Sequence, residues 1–139
     1  MQFQKIDSTY IVRMDVGEEI IATLTQLCKD ETIALAEVSA IGAVSRASVG
    51  RFNREERRYQ GVTLEGHYEL VHLTGNVSRK DGEVYVHLHA AFSDDSGRMF
   101  GGHLSEAVIS ATCEMFLTTI AGEIGRRVCE KTGLNILDL

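Results

Sequence analysis

Residues Thr9 to Asp15, TYIVRMD, alternate apolar and polar positions and predict a first strand. Gly17 then introduces EEIIATLTQLCKDE, in which Ile20, Ile21, Leu24, Leu27 and Cys28 fall at helical spacing. Glu18 and Glu19 fit a first turn, where the helix dipole favours anions. From Thr32 the chain turns to small and β-branched residues, TIALAEVSAIGAVSRASVGRF. That run predicts one long bent strand or two joined ones, with Gly42 and Gly50 as bulges or bends. The charge run NREERRY that follows reads as a solvated turn.

Gly61 to Asn76, GVTLEGHYELVHLTGN, predicts a further strand, with Tyr68, Leu70 and His72 on one face and His67, Glu69 and Val71 on the other. Asp81-Gly82 is the strongest short-range hairpin signal in the chain and joins this strand to EVYVHLHAAF, giving a β-meander. Farther on, AVISATCEMFLTTIAG satisfies both a helical stripe and a buried strand, and periodicity alone does not choose between them.

Composition narrows the class. The 139 residues fit a single domain, 1–139, large enough to bury its own core. No proline, repeat or low-complexity tract divides it. The start, MQFQKIDSTY, lacks a basic region followed by an apolar run, and no stretch reaches the roughly 20 apolar residues a bilayer span needs, so the expected location is cytoplasmic, without membrane contact. Cys28, Cys113 and Cys129 are odd in number and unsuited to a ligand pair, which fits reduced thiols. A formal net charge of -6 is the opposite of the basic footprint of a module that grips phosphates unaided.

The candidate chemistry lies in VHLHAAFSDDSGRMFGGHL, residues 86 to 104. His87 and His89 share a strand face, and a hairpin loop of odd length centred on Asp95 sets His103 across from His87 on that same face. Such a trio suits zinc, which in catalytic sites commonly takes three protein ligands and water, although imidazole also serves iron, nickel or copper. A loop of even length turns His103 away unless Gly101-Gly102 forms a bulge. The competing reading is a hydrogen-bonded histidine pair in a half-buried sheet, with the glycines allowing close packing. Glu69 is the candidate acid, base or outer partner to an imidazole, and Arg126 and Arg127 are candidate anion contacts if the tail folds across the site.

GEEI at 17–20, AEVSAIGAVSRASVGRF at 36–52, YELVHLTGN at 68–76, VHLHAAFSDDSGRMFGGHL at 86–104 and CEMFL at 113–117 together resemble the plant and prokaryote conserved domain, over almost the full chain. The resemblance implies an α+β fold: an antiparallel, strongly bent sheet with a long N-terminal helix packed on it, assembled as a homotrimer. It also implies that the stretch Ala107 to Ile120 is mainly strand, and that His87, His89 and His103 occupy the family's histidine positions. In plants the domain follows AT-hook motifs that grip the minor groove, but no Arg-Gly-Arg-Pro core exists in a chain without proline. Some prokaryotic members resemble acetolactate decarboxylase in fold, a similarity that does not carry activity.

Two functions follow as expectations. The first is a trimeric protein with a three-histidine site for zinc or another divalent transition metal, binding or transforming a small metabolite, with Glu69 as acid or base; whether it is an enzyme stays open. The second is a non-enzymatic regulatory module that holds protein partners or DNA, for which Arg51, Arg54, Arg57 and Arg58 form the best basic cluster, interrupted by Glu55 and Glu56.

Overall fold

The computed structural model describes residues 1–139 as β1 (Gln2–Ile6), β2 (Thr9–Met14), α1 (Ile20–Asp30), β3 (Ala36–Asn53), β4 (Arg58–Lys80), β5 (Glu83–Ser93), β6 (Met99–Thr119), β7 (Arg126–Val128) and β8 (Asn135–Leu137). All named pairings are antiparallel, in the order β1-β2-β6-β3-β4-β5, and β6 pairs with β5 as well. That extra pairing closes β3, β4, β5 and β6 on one another. Their alternating apolar residues bury a cluster of 27 side chains, which includes one face of α1. No helix is long and apolar enough to cross a membrane.

The long N-terminal helix expected from the resemblance is corrected to one short helix. Strand accounts for 65% of the chain and helix for 8%, and α1 has 11 residues and follows two strands. Both of its ends are fixed by local chemistry. Glu19 is the cap, not a first-turn residue: its carboxylate accepts from Ala22 N at 2.6 Å and from Ala107 N at 3.0 Å on β6. Glu18 lies outside the helix and accepts from Asp15 N. At the far end Thr32 takes a left-handed φ of 55°, and Ile33 N closes back on Cys28 O at 2.8 Å. The β-branched run then starts β3. Ile20, Leu24, Leu27 and Cys28 are the buried stripe of α1, as their spacing predicts.

The sheet is bent by bulges. Register shifts fall in β3 between Ala40 and Gly42 and between Val44 and Arg46, and in β4 between Leu70 and His72. The β4 bulge resets the period, so Leu70 and Leu73 are buried and His72, expected on the face of Leu70, is exposed. NREERRY turns the chain from β3 into β4, and Asp81-Gly82, both at positive φ, turns β4 into β5. The ambiguous AVISATCEMFLTTIAG is strand through Thr119, because it lies between β2 and β3 and both of its edges are paired. Three elements had no expectation attached: β1, and the β7–β8 hairpin of the tail.

Candidate metal centre

The hairpin between β5 and β6 sets the geometry. Its loop, residues 94–98, is held by Asp94, whose carboxylate accepts from Ser96 N at 2.9 Å, Ser96 Oγ at 2.6 Å and Arg98 N at 3.0 Å. Gly97 takes a φ of 78° within it. This odd loop is centred on Ser96, one residue beyond the expected Asp95, so His103 pairs with His89 and not with His87. A shift by two residues leaves the face unchanged, and the three histidines share it.

His103 sits where β6 passes from one partner to another, paired with His89 on β5 and with Gly50 on β3. Gly102 makes the passage possible. Its φ is 149°, and a Cβ there would lie 2.4 Å from Gly50 O, so no other residue fits without moving the backbone. The glycine pair allows close packing of the strands, since a Cβ at Gly101 would likewise lie 2.8 Å from Ala90 O.

The three imidazole centroids lie 5.2 to 5.6 Å apart, and each ring offers a ligand atom within 4.8 Å of the other two. His87 and His103 are half-buried and His89 is exposed. Tyr59 stacks on His103 with centroids 4.3 Å apart and 21° between planes, and Phe52 meets Tyr59 edge-on. Burial lowers the His87 pKa, helped by the Arg126 cation and by His89. Burial also pushes His103 down to about 4, with His87 and His89 adding to the effect. Both rings are thus neutral at pH 7, the form that binds a metal.

Around them lies a cavity of about 630 Å³, lined by 16 residues. The β7–β8 tail forms one wall, through Gly133 to Leu137, and Arg126 ties it down. Arg126 Nε donates to the fully buried Ser78 Oγ at 2.7 Å, Nη1 to Asn135 O at 2.8 Å and Nη2 to Asn76 Oδ1 at 2.7 Å. Its guanidinium lies over the Tyr85 ring, 4.5 Å from the centroid. Arg127, the other expected anion contact, points elsewhere and pairs with Asp138 at 2.9 Å.

Glu69 lines a different cavity, of about 550 Å³, together with Ile41, Gly42, Leu70, Thr112 and Glu114. It pairs with Ser93, whereas His89 pairs with Thr74. Five strand positions on β4 separate them, on the order of 16 Å. Sequence reasoning did not include Tyr59, Asn76, Tyr85 or Asn135. Tyr85 and Asn76 carried a usable signal, since residues 85, 87 and 89 share a strand face and Asn76 lies across from His87. Nothing local in the sequence brings Asn135 to the site.

A divalent metal held by imidazoles fits the residues present. His103 Nδ1 is buried without any hydrogen-bond partner, an arrangement that costs stability unless something else meets that atom. No thiol joins the cluster, whose ligand atoms are the three imidazoles' alone. Burial pushes the Cys28 and Cys113 thiols up to about 12, whereas Cys129, on the tail, is partly exposed and its pKa is lowered by hydrogen bonds from Thr132.

Known proteins carry the same architecture. A proposed DNA-binding protein from Bacteroides thetaiotaomicron superposes with a TM-score of 0.94 at 30% identity, covering 99% of this chain and 96% of that one. A metal-containing protein from Archaeoglobus fulgidus gives a TM-score of 0.89 at 31% identity, covering 100% and 99%. A plant- and prokaryote-conserved protein from Pyrococcus horikoshii gives 0.88 at 34%, covering 99% and 94%. Acetolactate decarboxylase from Bacillus subtilis subspecies spizizenii shares the fold alone, with a TM-score of 0.56 at 14% identity over 86% of this chain and 55% of that one. The bifunctional protein GlmU of Synechococcus sp. is 30% identical over 110 residues, 78% of this chain, yet the match spans only 16% of that protein. The family model of the Plants and Prokaryotes Conserved (PCC) domain matches residues 1–121, and the chain belongs to that family.

Proposed function

We propose that this protein binds a divalent transition metal, zinc first among them, through His87, His89 and His103, and presents it to a small molecule in the adjoining cavity. One observation carries the reading: three imidazoles each offer a ligand atom within 4.8 Å of the other two, and one has a buried and unpartnered nitrogen. Zinc takes imidazole nitrogen at about 2.0–2.1 Å, and three protein ligands leave a position for water or ligand. The metal-containing relative from Archaeoglobus fulgidus supports it. When bound there, the metal would polarise a carbonyl or activate water.

The protein's own part is separable from that chemistry. The Asp94 loop fixes the register of β5 and β6, Gly102 lets β6 reach β3, and Tyr59 holds the plane of His103. Together they hold the donors in place before any ligand arrives. Assembly as a homotrimer belongs to the proposal. Phe3, Ile11, Ile41, Val71 and Phe116 are exposed apolar side chains of the sheet, of the kind an interface covers. An acid–base role for Glu69 at the imidazoles requires a neighbouring copy to bring it there.

The test is elemental analysis of protein purified without a histidine tag, together with the double variant His87→Ala, His89→Ala. About one metal per chain, lost in the variant, is the expected result. No metal in the wild type, even after incubation with zinc, would overturn the reading.

DNA binding is the second reading, favoured by the name of the Bacteroides thetaiotaomicron relative and by exposed Arg51, Arg54 and Arg57. It predicts affinity for random duplex that falls steeply with salt and depends on those arginines. Absence of binding at low salt removes it.

A further inference from the structure

The cavity beside the histidines has an unusual electrical lining. The chain has 20 aspartates and glutamates, yet none is among the 16 residues of the wall. Its only lysine or arginine residues are Arg51 and Arg126. Arg126 takes part in no ion pair; its three partners, Ser78, Asn76 and Asn135, are neutral. A guanidinium cannot shed its proton, and only three of its five N–H donors are engaged. Two donors and a full positive charge remain for something in the cavity.

The guanidinium is held beside the imidazoles by β4 and β5. Asn76, which accepts from Nη2, is directly across from His87. Tyr85, under the guanidinium, lies two residues from His87 on the same face of β5. Phe52, Tyr59, Leu134 and Ile136 supply apolar wall to the same space. A cleft lined by one sign of charge with low-dielectric walls concentrates the opposite ion.

We infer that the cavity binds a small organic carboxylate, its carboxylate on Arg126 and its apolar part against Phe52, Tyr59 and the tail. The planar fork of arginine matches a carboxylate through two parallel N–H···O bonds, and the aromatic wall favours an ion that carries a carbon skeleton. The assignment rests on the reading of this cavity as a ligand site, but Arg126 can be tested with no metal present.

The experiment is a titration of chelator-treated, full-length protein with 4-fluorobenzoate, followed by fluorine NMR, on the wild type, Arg126→Gln and Arg127→Gln. Arg127 serves as control because it pairs with Asp138 outside the cavity wall. Saturable binding by the wild type and by Arg127→Gln, weakened about tenfold or more in Arg126→Gln, is expected. No binding by the wild type, or equal binding by Arg126→Gln, would overturn the inference. Tighter binding of inorganic phosphate than of the benzoate would overturn the carboxylate class. If Arg126→Gln does not fold, the Arg126 Nε–H resonance of the wild type decides: displacement on titration supports the inference and an unmoved signal overturns it. Failure to bind zinc alongside Arg126-dependent carboxylate binding sinks the metal reading alone; zinc binding with Arg126-independent carboxylate binding sinks this one alone.

Discussion

Two cavities open on the same bent sheet, and they differ in what the register delivers to them. The Glu69 cavity, of about 550 Å³, forms where β3 pairs irregularly with β4 and β6, where Gly42 approaches Thr112 and two carboxylates, Glu69 and Glu114, line the wall. The histidine cavity, of about 630 Å³, forms where β6 passes from β5 to β3, and its wall holds three imidazoles, two arginines and no carboxylate. Both arise from irregular pairing. Only the second brings like donors to one point, because His87 and His89 alternate onto the face that His103 reaches through Gly102. A bulge makes space, whereas register makes a site.

Removing the donors has the largest expected effect. His87→Ala with His89→Ala is expected to lower zinc affinity beyond the roughly 10- to 100-fold that loss of an outer partner costs, measured by competition with a chromogenic chelator. Retained affinity would place the metal elsewhere.

Next comes the passage of β6. Gly102→Ala places a methyl 2.4 Å from Gly50 O at a φ of 149°. The expected cost is about 1–3 kcal/mol in denaturant unfolding, with weaker zinc binding as His103 shifts. A neutral substitution would show that the close approach is not needed.

A smaller effect sharpens the electrostatic side. The His103 pKa is about 4 in the folded protein and near 6.5 unfolded, and that of His87 is lowered too. Between those values the unfolded chain binds more protons, so the metal-free protein loses stability as pH falls through about 6.5, and the His103 part levels off near 4. Solvent access to the rings reduces the size of the effect without changing its direction. Unfolding curves from pH 8 to 4 on wild type and His103→Phe check it: the variant is expected to show the shallower loss.

The smallest effect is expected from the other cavity. Glu69→Gln should change zinc affinity by less than about twofold, since distant and unconnected sites are close to independent. A large loss would place Glu69 at the metal through a neighbouring copy.

Local patterns in the sequence were enough for much of this. Asp81-Gly82, the stripe of α1 and the shared face of His87 and His89 each depend on residues close in the chain, where period and turn chemistry decide. The exact pairing of His103 was one step less legible, because Asp94 and not the midpoint of SDDSG determines the loop, through hydrogen bonds to Ser96 and Arg98. The long helix was an implication of the resemblance, whereas the periodic stripe ends at Cys28 and the composition turns at Thr32, close to the observed end of α1 at Asp30. The β7–β8 wall was out of reach, since it is held by Arg126 to Ser78 and Asn76, 48 and 50 residues away. Long-range polar contacts of that kind leave no periodic trace.

The central claim is that three imidazoles hold one metal. X-ray absorption at the zinc edge, on untagged zinc-loaded protein at neutral pH, tests it most directly. The account predicts a shell with imidazole scattering from three nitrogens at about 2.0–2.1 Å, abolished in the His87→Ala, His89→Ala protein. A shell of sulfur or of oxygen alone, or an imidazole shell that survives the double change, would contradict it.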